Sequence, residues 1–173
     1  MNGRWHQYAP ATWGETIARR RSPLIIAMIG PPGAGKTTEI KAERRALSLA
    51  RIDTTVISRD DIRAAHDLPY GTDEPAVTAH VAQQLHVAIA DLRPGSVVFI
   101  DQCHSTVARL EETDALADSL CIETDTAALF LTWRIRGSLT ECLTRNAARH
   151  GSSRVPDETV VRAWRHDRRE WGD

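Results

Sequence analysis

The segment Gly30-Pro31-Pro32-Gly33-Ala34-Gly35-Lys36-Thr37 constrains the fold of this chain more than any other stretch. It fits the pattern G-x-x-x-x-G-K-[ST], in which backbone N–H groups surround a polyphosphate at the start of a helix. The apolar run Leu24–Ile29 comes before it and predicts a buried parallel strand, and residues 36 to about 51 predict a helix. This order predicts a phosphate-binding loop, and a Gly/Pro turn that binds nothing is the alternative interpretation.

The residue types of this loop suit a nucleotide bound with Mg²⁺. Its glycines allow positive φ angles and close approach of the backbone to phosphates. Lys36 would reach the β and γ phosphates as a catalytic residue, and the Thr37 hydroxyl would bind Mg²⁺, with Asp60 or Asp101 joining it directly or through water. The nucleotide contacts predicted in the loop are Gly30, Gly33, Ala34, Gly35, Lys36, Thr37 and Thr38.

Strand and helix patterns alternate four times along the chain. Strands are predicted at residues 24–29, 54–58, 97–101 and 127–133, and helices at 36–51, 75–92, 105–119, 139–149 and 156–171. We therefore predict an α/β fold of the P-loop NTPase type. It would be a three-layer sandwich with a mainly parallel sheet of about four to five strands, and its sites would lie at the carboxyl ends of the strands.

Composition sets the outer limits of the interpretation. With 173 residues, 42% hydrophobic and 26% charged, the chain is typical of one globular domain. No run of about 18 apolar residues is present, so we expect no membrane association and a cytoplasmic location. Three widely spaced cysteines favour reduced thiols over a disulfide framework or a zinc site. The two ends of the chain are basic and the middle is acidic, which can mark a phosphate-binding face.

A second candidate site follows the second predicted strand, in Ser58-Arg59-Asp60-Asp61-Ile62-Arg63. A strand that ends in carboxylates puts Asp60 at the edge of the sheet beside the phosphate loop, where it could accept a proton from an attacking hydroxyl. Arg63 lies one helical turn further and could hold an anionic acceptor. Asp61 is expected to cap the helix, and capping is also the alternative role for Asp60.

These segments resemble the kinase domain of the phage-type polynucleotide 5′-kinases, which combine a phosphate loop, an N/S-R-D-D-x-R segment and an arginine-bearing lid. The resemblance implies ATP as cofactor, Asp60 as general base and Arg63 as the arginine that holds the acceptor phosphate. It also implies that Asp101, at the end of the third strand, supports the metal and the acceptor. Gln102-Cys103-His104 stands where the family usually has Thr and Asn.

The lid of that family resembles Thr144-Arg145-Asn146-Ala147-Ala148-Arg149-His150-Gly151. Arg145 and Arg149 are four residues apart on one helix face, so both could meet one anion, with Arg149 stabilising charge on the transferring phosphoryl group. Two solvated surface arginines are the alternative. By the same resemblance, Val155 would pack on adenine.

The implied organisation is an N-terminal extension at residues 1–22 and a P-loop kinase domain at 23–173, with the lid around 137–155. The implied activity is transfer of the ATP γ-phosphate to the 5′-hydroxyl end of DNA or RNA, as in nucleic-acid repair, in the cytoplasm of a bacterial host if the protein is phage-encoded. A kinase for an antibiotic, a sugar nucleotide or a hydroxymethylated base remains an alternative, as does a nucleotide-binding ATPase without an acceptor. The oligomeric state is left open.

Overall fold

The computed structural model describes residues 22–71, 73–104 and 106–172. Apart from Ser22, the predicted extension at residues 1–22 lies outside the described residues. The strands are β1 (Leu24–Ile29), β2 (Thr54–Ser58), β3 (Val97–Asp101) and β4 (Leu129–Arg134). The helices are α1 (Lys36–Leu49), α2 (Arg59–Ala65), α3 (Glu74–Ala90), α4 (Val107–Glu123), α5 (Leu139–Ala147) and α6 (Asp157–Trp171), with a 3₁₀ turn at Gly151–Ser153.

The four strands form one parallel sheet in the order β2-β3-β1-β4. This confirms the predicted α/β fold and its parallel sheet. β4 differs from the predicted range 127–133, because it pairs with β1 from Leu24↔Leu129 to Ile29↔Arg134. α1 ends at Leu49, before the predicted residue 51, since Arg51 takes a positive φ of 58° that no helix can contain.

The central strand β1 holds the two halves of the core together. All six of its side chains are at most 1% exposed. Ile25 packs with α3 and α4 on one face of the sheet, whereas Leu24, Ile26 and Met28 pack with α1 on the other. Each fully buried side chain of this size contributes about 1.5–3 kcal/mol. Burial on both faces explains why β1 is an unbroken apolar run rather than an alternating one.

The parallel pairing also fixes what meets at the carboxyl edge of the sheet. The phosphate loop leaves β1, α2 follows directly from β2, and Ser58 pairs with Asp101 at the end of β3. Three segments from distant parts of the chain therefore converge on one edge. None of the helices among residues 22–71, 73–104 and 106–172 is long and apolar enough to cross a membrane.

His104, just after β3, links this edge to the core. Its side chain is fully buried, and its Nδ1 lies 2.7 Å from the carbonyl oxygen of Met28 in β1. Its Nε2 lies 2.7 Å from the amide nitrogen of Gln102. Nδ1 can therefore donate to Met28 while Nε2 accepts from Gln102, which describes a neutral imidazole. Burial, opposed only partly by the bond to Met28, lowers the pKa of His104 to about 4.

We expect His104 to make the fold sensitive to acid. Its pKa is about 4 in the folded protein and about 6.5 in the unfolded chain, so acid protonates the unfolded chain first. Its contribution to stability is intact above pH 6.5 and is lost toward pH 4, by up to about 1.4 kcal/mol per pH unit. Urea unfolding across this window should show a shallower pH dependence for His104→Gln than for the wild type. His86→Gln, at an exposed histidine, is the control and should keep the wild-type slope. Equal slopes in all three proteins would contradict the assignment.

Candidate functional site

The phosphate loop is held in place by close backbone packing against the elements that follow β4. A Cβ on Gly33 would lie 2.3 Å from the carbonyl oxygen of Cys142 in α5. A Cβ on Gly30 would lie 2.5 Å from the carbonyl oxygen of Ile135. Both glycines also have positive φ angles, of 81° and 144°. The loop therefore requires glycine at these positions for packing and for backbone conformation alike.

Lys36 opens α1 beneath this loop. Its Nζ donates to the carbonyl oxygens of Gly30 and Pro31, each at 3.0 Å, and only 8% of the residue is exposed. The ammonium group is thereby held within the loop, beside the cleft that the loop borders. That is the position in which its charge can meet a β or γ phosphate.

The residues predicted to hold Mg²⁺ are close together. The Thr37 hydroxyl donates to Oδ2 of Asp101 at 2.6 Å, across 64 positions of sequence. Hydroxyl and carboxylate oxygens are ligands that Mg²⁺ accepts, and this ion usually takes only one or two carboxylates plus phosphates and waters. Within the described part of the chain there is no group of three or more His, Cys, Asp or Glu residues that could hold a metal by themselves. The pair thus fits a magnesium ion shared with a nucleotide better than a closed protein cage.

Asp60 is the second residue of α2 and lies at the same edge of the sheet. The expectation that Asp61 caps this helix is wrong, and so is the capping alternative for Asp60. β2 runs into α2 without a loop, so its last residue, Ser58, is the N-cap and accepts from the Asp61 N–H at 3.2 Å. The Asp60 carboxylate, about half exposed, is left free to face the cleft.

The charges around Asp60 act in opposite directions. Desolvation by the walls of the cleft raises the pKa of Asp60, and the guanidinium of Arg149, 3.5 Å away, opposes it. The nearby Asp101 carboxylate raises the pKa further, whereas Lys36 lowers it. The net direction is upward, which brings the carboxylate closer to the basicity that proton abstraction requires.

Arg63 lies in the same cleft but is largely occupied by its neighbours. It is 2% exposed, forms an ion pair with Glu74 and donates to the carbonyl oxygen of Pro69 at 3.2 Å. Its guanidinium also lies 5.5 Å from the centre of the Tyr70 ring. Glu74 binds Arg59 as well, at 2.7 Å. The role of Arg63 in holding the acceptor stays a prediction. Its contacts with Glu74, Pro69 and Tyr70 hold the guanidinium in place where it lines the cleft.

The predicted helix 139–149 ends at Ala147, so the expectation that Arg145 and Arg149 share a helix face is wrong, and the two side chains contact different parts of the cleft. Arg145 donates to the carbonyl oxygens of Gly33 and Ala34 at 3.2 and 3.0 Å, so it lies against the phosphate loop. Arg149 lies past the end of α5 and joins Asp60 to the carbonyl oxygen of Ser153, at 3.5 and 3.3 Å. Arg145 thus lies against the phosphate loop, whereas Arg149 connects Asp60 with the loop that contains Ser153.

Together these side chains enclose a cleft of about 300 Å³ at the carboxyl edge of the sheet. It brings together most of the residues predicted from sequence, including Thr38 and Val155, whereas Gly30 and Ala34 support the loop from behind. The further lining residues, which sequence reasoning did not assign to the site, are Pro32, Arg59, Tyr70, Glu74, Gln102, Cys103 and Arg109. Tyr70 and Glu74 carried no local signal, because only the folding of the segment between α2 and α3 brings them to the site.

Comparisons with known proteins agree with this geometry. The sequence model of the AAA domain family matches residues 25–170. The adenylate kinase of Deinococcus deserti is 31% identical over 102 residues, covering 56% of this chain and 51% of that protein. The cytidylate kinase of Cutibacterium acnes is 39% identical over 69 residues, covering 39% of this chain and 31% of that protein. The chain thus spans about half or less of the length of these curated relatives.

Solved structures share the fold at lower identity. A chain of the Pnkp1/Rnl/Hen1 RNA repair complex aligns with a TM-score of 0.63 at 16% identity, over 86% of this chain and 45% of its own length. The Mycobacterium tuberculosis APS kinase CysC, in complex with AMPPNP and APS, aligns with a TM-score of 0.52 at 23% identity, over 72% of this chain and 69% of that one. With a family match over most of its length and a nucleotide-type cleft at the expected edge of the sheet, the chain belongs to the AAA domain family and has the α/β fold of P-loop kinases.

Proposed function

We propose that this chain is an ATP-dependent kinase that transfers the γ-phosphate of ATP to the 5′-hydroxyl end of a nucleic acid. The observation that carries the proposal is the position of Asp60. Its carboxylate lies in one cleft with Lys36 and Thr37 of the phosphate loop and in contact with Arg149. A nucleotide-binding switch has no need for such a base, whereas transfer to an alcohol does.

The proposed reaction divides the work among these side chains. Asp60 takes the proton of the acceptor hydroxyl while the hydroxyl oxygen forms a bond to the γ phosphorus. The bond between that phosphorus and the β–γ bridging oxygen breaks, and ADP leaves with its electron pair. Lys36 and Arg149 meet the charge on the phosphates during transfer. Mg²⁺, held by Thr37 and Asp101, would supply further neutralisation of phosphate charge.

Charge at the far end of the cleft supports an anionic acceptor. Arg59, Arg63 and Arg109 line this end, and Glu74 is the carboxylate that pairs with the first two. Arg109 is exposed and lies at the start of α4. A positive surplus beside the proposed base suits a chain of phosphates. The match to a chain of an RNA repair complex is consistent with such an acceptor.

A small anionic molecule is the second candidate acceptor. The curated relatives are adenylate and cytidylate kinases, and a solved neighbour is an APS kinase. A small anionic molecule and the terminal nucleotide of a nucleic acid would both place a hydroxyl beside Asp60, in the same cleft as the phosphate loop. The two candidates therefore differ in what lies outside the cleft, and only a comparison of acceptors separates them.

The acceptor is tested with γ-labelled ATP, Mg²⁺ and a panel of hydroxyl compounds. We expect 5′-hydroxyl oligonucleotides of DNA or RNA to be labelled, and nucleoside monophosphates, adenylyl sulfate and sugar nucleotides to be poor acceptors. Lys36→Ala should lower every transfer rate by about a hundred- to a thousandfold, since its charge acts on the transferred phosphate. Labelling of a small molecule alone would assign the chain to the small-molecule kinases. A folded Lys36→Ala protein with wild-type turnover would refute the nucleotide site.

Asp60→Asn should remove the base and spare the fold. We expect the transfer rate to fall by about 10²- to 10⁴-fold, with little change in melting temperature, because Ser58 rather than Asp60 caps α2. Asp61→Asn is a matched control at the adjacent exposed carboxylate and should retain wild-type turnover. A loss of melting temperature with an unchanged rate would show that Asp60 is structural.

Arg149→Ala should change both the rate and its pH dependence. We expect kcat to fall roughly a thousandfold with a smaller loss of ATP affinity, because a guanidinium that meets charge in the transition state adds little to ground-state binding. The Arg149 charge also lowers the pKa of Asp60. Its removal should therefore move the acid limb of the kcat/KM profile to higher pH. An equal loss of kcat and affinity, with an unmoved acid limb, would make Arg149 a simple phosphate clamp.

A further inference from the structure

The lid loop, residues 148–155, is fastened to α5 by one buried side chain. Asn146 is 0% exposed and lies between Arg145 and Arg149 in the sequence. Its Nδ2 donates to the carbonyl oxygen of Val155 at 2.7 Å, and its Oδ1 accepts from the Val155 N–H at 3.1 Å. These two bonds clamp both polar backbone groups of Val155. The loop is thereby closed at its far end onto the helix from which it starts.

A third bond completes the set and orients the amide. Nδ2 of Asn146 also donates to Oδ1 of Asp157, the first residue of α6, at 3.0 Å. Both N–H groups of the amide and one lone pair of its oxygen are therefore used inside the protein. Asp cannot substitute because it lacks the donors, and neither can Leu or Ala, because they lack every polar atom. Because both N–H groups of this buried amide are bonded within the protein, they hold neighbouring groups in position and are not available to a ligand.

What this clamp holds in place are two contributors to the cleft. Val155 is 3% exposed, packs with Ala34 and Cys142 behind the phosphate loop, and lines the cleft. Arg149 belongs to the same loop, and its side chain donates to the carbonyl oxygen of Ser153. Movement of the loop would displace both together, since the clamp is what closes it.

We propose that Asn146 is a positioning residue that sets the nucleoside-side wall of the cleft and the place of Arg149. The proposal rests on the nucleotide-binding part of the proposed function and is independent of which acceptor is used. Asn146 is fully buried and is not among the residues that line the cleft, so it acts through Val155 and Arg149. Lys36 and Thr37 lie on the phosphate loop and are held by other bonds, so the triphosphate subsite should not depend on Asn146.

The test compares ATP with inorganic tripolyphosphate, both with Mg²⁺, by calorimetric binding to the full chain. Asn146→Asp keeps the shape of the side chain, loses both donors and brings a carboxylate against Asp157. We expect its Kd for ATP to rise about tenfold or more, because the variant loses buried hydrogen bonds that hold Val155 in place. Its Kd for tripolyphosphate should stay within about twofold of the wild-type value. A parallel rise for both ligands, or no rise for either, would overturn the proposal.

Two further variants separate positioning from general damage. The double variant Asn146→Asp with Asp157→Asn restores a donor–acceptor pair between the two positions and should recover part of the lost ATP affinity. Ser153→Ala removes a different bond in the same loop, from the Ser153 hydroxyl to the His150 carbonyl oxygen at 2.8 Å, and should bind ATP as the wild type does. Failure of the double variant to recover affinity, or an equal defect in Ser153→Ala, would count against a specific clamp.

Hydrogen exchange gives a readout that needs no ligand. The Val155 N–H should be protected in the wild type and should exchange at least about tenfold faster in Asn146→Leu, which removes its acceptor, while amides of β1 keep their protection. Unchanged protection of Val155 would overturn the proposal even if catalysis were affected. If the wild type bound no ATP at all, the proposed function would fail, and the exchange result would still decide whether Asn146 fixes the loop.

Discussion

The meeting of three parallel strand ends at one edge of the sheet is the constraint on which the rest of the site depends. β1 delivers the phosphate loop, β2 delivers Asp60 through α2, and β3 ends in Asp101. Because Ser58 pairs with Asp101 in register, Asp60, two residues beyond the end of β2, lies close to Asp101 at the end of the neighbouring strand. A shift of β2 by one residue would turn its side chains to the opposite face of the sheet and disturb this arrangement.

Close backbone packing also fixes the position of the phosphate loop. Gly33 lies so near the Cys142 carbonyl oxygen that no side chain fits between them, and Arg145 bonds the carbonyl oxygens of the same loop. The first part of the lid region, α5, is therefore packed directly against the phosphate loop. In the lid loop beyond it, Asn146 bonds both polar backbone groups of Val155.

Pairs of oppositely charged side chains line the cleft. Acidic and basic side chains alternate across it, with Asp60 against Arg149 and Glu74 against Arg59 and Arg63. Desolvation raises the pKa of Asp60, and the guanidinium of Arg149 opposes that rise, so this carboxylate is under opposing influences beside the phosphate loop. By contrast, the buried His104 is kept neutral and serves the fold rather than the chemistry.

The sequence by itself determined the fold class and the phosphate loop, because both are local patterns. An apolar run followed by glycines, Lys36 and Thr37 has few other stable solutions, and alternating strands and helices imply a parallel sheet. Asp60 could be named in advance because it follows the end of a predicted strand, and Asp101 and Arg149 could be named because their segments resemble those of the phage-type polynucleotide 5′-kinases. Their contacts with Lys36, Thr37 and each other belong to the tertiary structure.

Only the tertiary structure decided which side chains support these residues. Asp61 looked like a helix cap from its position, but the direct passage from β2 to α2 gave that task to Ser58. Glu74 and Asn146 make their contacts across short loops, with partners 11 and 9 residues away, and Tyr70 lies against Arg63 in the same way. These contacts depend on the folded course of each loop, which no helix or strand periodicity encodes, so composition and spacing cannot reveal them.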